Sequence, residues 1–228
     1  MVAHTAGGGG VASSNLVAPT HFIFFYLNVK FLKIKLIDMK SKINIQLFTI
    51  ILFIIVGCMS RIIPHAPNFT PIGAICLFGA SHFTKKTYAF LVPILIIFFS
   101  DLFINNVLYP NSSFIFFYNG FYWQYISYIL IISMSVIFLK PKISIFSIGL
   151  NSVASSLIFF IISNFGVWIG SGMYPLNFIG FISCYVNALP FYYNTLISFV
   201  LYSYLLIGAF YLVQRKYNSI KPIHLSYV

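Results

Sequence analysis

The sequence predicts an all-α membrane protein of six transmembrane helices, with a short extra helix before the last span. Three observations carry that expectation. Of the 228 residues, 60% are hydrophobic and only 7% are charged, where a soluble domain carries about 25% charged residues. The apolar residues fall into runs long enough for about six spans at roughly 20 residues each. Lys and Arg gather at alternate joins between those runs, as the positive-inside rule requires of cytoplasmic loops.

Residues 1–38 stand apart. The first twenty are Gly, Ala, Ser and Val with a run at Gly7–Gly10, whereas the remainder is rich in Ile, Phe, Tyr, Asn and Lys. With one choice of codons residues 11–21 can be back-translated to the end of a transfer RNA gene, and Met39 is a natural start before an apolar run. Residues 1–38 are therefore expected to be a non-native or misannotated extension and are set aside. The alternative is a basic cytoplasmic arm, Lys30 to Lys42, lying on the membrane. Residues 39–217 form the expected six-span domain, and 218–228 a short cytoplasmic tail.

Span 1 is expected over 43–63. A join follows that carries Arg61, His65, Asn68, Thr70 and prolines at 64, 67 and 71. Each proline removes a backbone donor and disfavours helix at the residue before it, so this segment is a rigid polar loop. Span 2, over 70–83, is short for a crossing and needs tilt or part of the loop. Span 3 covers 88–104, with Pro93 inside and Ser100 and Asp101 near its end. A polar turn at 105–113 leads to span 4, over 114–139, and a turn at Lys140 and Lys142 leads to span 5, over 143–168. Gly170, Gly172 and Pro175 break the chain. Residues 176–190 are expected as a short helix at the surface or dipping inward, and span 6 as 192–213.

Basic residues set the orientation. Lys40 and Lys42 precede span 1, Lys85 and Lys86 follow span 2, Lys140 and Lys142 follow span 4, and Arg215, Lys216 and Lys221 follow span 6. Both termini are thus expected in the cytoplasm. The proline loop, the end of span 3 and the 169–191 segment then share the outer face.

The net charge of +11 does not point to nucleic acid, because the basic residues form short clusters between apolar runs and not a continuous face. They suit anionic lipid. Cys58, Cys76 and Cys184 show neither metal-ligand spacing nor a disulfide framework and read as buried small hydrophobes. There is no phosphate-binding glycine loop, no H-E-x-x-H and no carboxylate pair. No enzyme, cofactor or metal site is expected.

Asp101 is the only acid after Met39, and Arg61 the only basic residue on the outer side. Each is costly alone at the edge of hydrocarbon, so they are expected to pair, either as a strut between spans 1 and 3 or as ligand contacts. His65, Asn68 and Thr70 are candidate contacts because the prolines pre-order them. Asn164, Trp168 and Tyr174 reach the same side and could line a pocket with aromatic walls, beside Asn187. Gly166 and Gly170 have the spacing of a close helix contact.

Several separated motifs occur in order: Arg61, Pro64, His65, Pro67, Asn68, Phe69, Thr70 and Pro71, then Leu77-Phe-Gly79, Val92-Pro93, Ser100-Asp101, Asn164-Phe-Gly-Val-Trp168 and Met173-Tyr-Pro175. Over 43–213 the chain resembles a bacterial family of uncharacterised integral membrane proteins, which implies the inner membrane. In span number and orientation it is similar to the substrate-binding S components of energy-coupling factor transporters. That similarity implies a substrate-binding subunit of an uptake transporter for an unidentified small molecule, partnered by a coupling transmembrane protein and ATPases. The alternative is a non-transport scaffold or assembly protein that binds a partner through its outer loops.

Overall fold

The computed structural model describes residues 20–109, 113–139 and 143–217. Among them the chain is helical, with no strand: α1 (Thr20–Met59), α2 (Ile72–His82), α3 (Lys86–Phe103), α4 (Phe121–Phe138), α5 (Ile145–Gly170) and α6 (Phe178–Lys216), plus a 3-10 turn at Ser60–Ile62 and a π turn at Ile104–Leu108. The chain divides into two compact units at Lys42 and Ile43. In the first unit, residues 20–38 of the expected extension are helical, within α1. The expected turn at 140–142 and the tail at 218–228 lie outside the described residues, as do residues 1–19.

The second unit is built around α2. This helix is apolar on every side, and a helix apolar all round is buried. Every residue from Ile72 to Ser81 is buried. Ile75, Leu77 and Phe78 meet Ile54 of α1, Ile97 of α3, Ile132 of α4 and Phe210 of α6 in one core. The small residues of α2 admit close neighbours. A Cβ at Gly73 would lie 2.2 Å from Cε2 of Phe199, and one at Gly79 would lie 2.5 Å from Cγ of Pro93.

Among the described residues five helices are long and apolar enough to cross a membrane, not six. The expected second span is α2, and its 11 residues make a rod of about 16 Å at 1.5 Å per residue, half the hydrocarbon thickness. The prolines that stiffen the preceding loop postpone the helix until Ile72. The expected separate helix at 176–190 is also corrected: α6 runs unbroken for 39 residues with Pro190 inside it. A proline removes one backbone donor but need not stop a helix whose two sides are held elsewhere. Here Tyr185 donates its hydroxyl to the Ile161 carbonyl at 2.7 Å, and the Tyr192 hydroxyl lies 3.4 Å from Ser156 Oγ. Both flanks of Pro190 are thereby tied to α5.

Side chains set the other ends. Asn177 caps α6 by accepting from Gly180 N at 2.8 Å. Ser144 and Ser147 form a reciprocal capping box at the start of α5. The fourth helix begins at Phe121, later than the expected 114. Gly120 turns the chain with φ 76°, and Asn106 clasps the preceding segment through Ile115 N (2.7 Å) and Ile115 O (2.8 Å). Cys58, Cys76 and Cys184 are buried and unpaired.

Candidate functional site

The proline loop is built from local geometry. Phe69 N donates to Ala66 O at 3.0 Å, with Pro67 and Asn68 at the centre of the turn. Asn68 has φ 62°. Proline second and a positive φ third describe a type II turn, in which asparagine is the usual substitute for glycine. The loop is then fixed to α6. Asn194 Nδ2 donates to Pro67 O at 3.0 Å, and the rings of Phe69 and Tyr202 lie 5.7 Å apart.

This turn sets Asn68 beside a cavity of about 170 Å³ between α4, α5 and α6, lined also by Gln124, Phe159, Phe160, Ser163, Asn164, Val167, Ala188, Phe191, Tyr192 and Thr195. No charged side chain lines it. Gln124 Oε1 accepts from the hydroxyls of Tyr118 (3.0 Å) and Tyr128 (3.2 Å), which fixes the amide so that Nε2 remains as donor. Asn164 does the reverse. Its Nδ2 donates to Phe160 O at 2.8 Å, leaving Oδ1 as acceptor. Neither Nε2 of Gln124 nor Oδ1 of Asn164 has a partner among the described residues. Burial, and then the charge of Asp101, hold the Tyr118 phenol above its ordinary range. Tyr118 therefore stays protonated and able to donate.

A second polar cluster adjoins the first. Arg61 Nη2 meets Asp101 Oδ1 at 2.7 Å, with the two side chains 11% and 10% exposed. Arg61 Nη1 donates to Ser100 Oγ at 2.8 Å, and Tyr125 donates to Asp101 Oδ2 at 2.7 Å. The Tyr125 and Tyr128 rings, 5.5 Å apart, join the ion pair to the Gln124 network. Each charge thus has a partner of opposite sign and a hydroxyl.

The eight residues singled out in the sequence fall into four groups. Asn68 and Asn164 line the cavity. Arg61 and Asp101 form the adjoining pair. Trp168 and Tyr174 serve the 171–177 loop: Trp168 Nε1 donates to Pro175 O at 3.1 Å, and Asn187 Nδ2 donates to the Tyr174 hydroxyl at 3.3 Å. His65 and Thr70 belong to the loop itself, where exposed His65 Nδ1 donates to Ala66 O at 2.9 Å and Thr70 N donates to Asn68 O at 3.1 Å. Neither lines the cavity. Sequence reasoning missed Gln124, Tyr192 and Thr195. The signal for Gln124 was present, since it is the only amide side chain in the 18-residue helix α4, and an amide in an apolar helix is costly without a partner.

Residues 41–221 match the model of a family of unknown function, DUF6580. The chain belongs to that family. In this DUF6580 member the matched stretch contains the proline loop, the ion pair and the whole cavity. No curated protein and no solved structure matches the chain.

Proposed function

We propose that this DUF6580 member is a membrane-embedded binding subunit that captures a small molecule for uptake, in the manner of an S component. The observation that carries the reading is the cavity beneath the proline loop. There a fixed donor, Gln124 Nε2, and a fixed acceptor, Asn164 Oδ1, lack protein partners. Both residues are half-buried, so these groups are open to a ligand or to bound water. Positive-inside orientation would put the loop and the cavity on the outer face of an inner membrane, with both termini in the cytoplasm. On that orientation the proline loop and the half-length α2 together return the chain across the bilayer. Non-helical backbone at that depth is tolerated where protein buries it or where it lines a cavity. Energy for uptake would come from a coupling membrane protein and ATPases.

The test is purification in mild detergent followed by mass spectrometry of the copurifying molecules. A small molecule released from the wild type and lost from Gln124→Glu and Asn68→Gly supports the reading. A molecule retained equally by both variants overturns it.

One observation favours a second reading, a scaffold that binds a protein through its outer loops. Met173, Leu176, Phe178 and Ile179 are at least 70% exposed and would give an apolar surface beside the 171–177 loop. A stable protein partner lost from Leu176→Ser and Phe178→Ser, with no small molecule bound, would select it.

A further inference from the structure

We infer that the cavity takes an uncharged, planar ring that carries one hydrogen-bond acceptor and one donor, as an aromatic amide does. The inference rests on reading the cavity as a ligand site. Four properties lead to this chemical class. With no charged side chain in the lining, an ion entering it would lose its hydration without gaining a counter-charge. The two amides are not interchangeable: Gln124 can only donate, because its oxygen is taken by Tyr118 and Tyr128, whereas Asn164 offers its oxygen as well as the one N–H not given to Phe160 O. A ligand that matches both must therefore present one acceptor and one N–H or O–H donor.

Asn68 adds an amide that offers both a donor and an acceptor, and the hydroxyls do not alter that balance. Ser163 donates to Phe159 O at 2.6 Å and Thr195 to Phe191 O at 3.1 Å, so each keeps only acceptor lone pairs for the cavity. The remaining surface is largely aromatic, with the Phe160 and Tyr192 rings 4.8 Å apart. Aromatic walls favour a flat partner that stacks or meets an edge. The size agrees. An apolar cavity of about 150 Å³ holds one benzene ring, and this one, at about 170 Å³, has room for a six-membered ring and a small substituent.

Benzamide is the matching probe, with benzoate, benzylamine and cyclohexanecarboxamide as controls of charge and shape. Binding to the full chain in lipid nanodiscs is read by saturation-transfer NMR and competition. Benzamide should bind, and the carboxylate and the ammonium should bind at least about tenfold more weakly. Gln124→Glu keeps an acceptor for Tyr118 and Tyr128 but replaces the donor, and Asn164→Leu removes the acceptor. Each should weaken benzamide about tenfold. Thermal unfolding of each variant shows whether it is folded, and Asn164→Ala, which also removes the acceptor, serves as a second variant if Asn164→Leu is not. Equal binding of benzoate or benzylamine, or no benzamide binding at all, overturns the proposed class. If a charged molecule copurifies instead and is lost from Gln124→Glu, the ligand site stands and only its chemical class is wrong. If no molecule responds to the cavity substitutions, both fall.

Discussion

Arg61 and Asp101 are 40 residues apart in the chain, and their charged atoms are 2.7 Å apart. Both side chains are nearly buried, and each has a further partner, Ser100 for the guanidinium and Tyr125 for the carboxylate. Removing one member leaves the other buried and uncompensated, which costs about 3 kcal/mol. Arg61→Ala and Asp101→Ala should each lower stability in detergent by roughly that amount. The double variant should lose less than the sum, by about 1 kcal/mol or more. A double-mutant cycle on chemical unfolding checks this, and additivity would refute the coupling.

Asn68 combines two roles that substitution can separate. Its φ of 62° suits asparagine or glycine, whereas alanine there is strained by about 1 kcal/mol. Asn68→Gly should therefore unfold near the wild-type temperature, and Asn68→Ala should unfold earlier. Both lack the amide and should reduce binding alike. Equal unfolding temperatures for the two variants would mean that the turn relaxes without its left-handed residue.

The contact between Gly73 and Phe199 sets how closely α2 and α6 pack. A methyl group at Gly73 would collide with the ring, and overpacking of this kind costs about 1–3 kcal/mol. Gly73→Ala should destabilise the chain, and Phe199→Leu in the same molecule should recover part of the loss. A double variant less stable than either single would show that the two helices do not repack around the ring.

Trp168 fastens a loop and does not line the cavity. Trp168→Phe keeps the aromatic contact with Phe181, 5.2 Å between ring centres, but removes the hydrogen bond to Pro175. Limited proteolysis should cut faster within 171–177, while ligand retention stays at the wild-type level. Loss of ligand without faster cleavage would place Trp168 in the binding site instead.

Much of this architecture was legible because it depends on local pattern. Apolar runs of a given length are helices wherever they pack, since a backbone removed from water must satisfy its own hydrogen bonds. The pairing of Arg61 with Asp101 was legible for a related reason: two lone charges in an apolar chain have no cheaper arrangement than each other. The turn at Asn68 follows from Pro67 before it and the need for a residue that tolerates positive φ. Gly166 was also readable as a close-packing residue, and it lies against Trp123, where a Cβ would be 2.2 Å from the ring.

Tertiary contact decided the rest. Which helices enclose α2, through Ile54, Ile97, Ile132 and Phe210, depends on the packing of distant segments, which the apolar character of α2 does not identify. That Pro190 leaves α6 unbroken depends on Tyr185 and Tyr192 holding both flanks to α5. The division of the candidate residues has the same origin. Asn164 and Trp168 are one helical turn apart on α5, yet one lines the cavity and the other grips the loop after it. Gln124 joins the site only because two tyrosine hydroxyls converge on its oxygen. Local sequence determined which segments are helical and which polar groups needed partners. The fold alone decided which partners they found, because hydrogen bonds and packing are made between segments whose sequence separation carries no information about their distance in space.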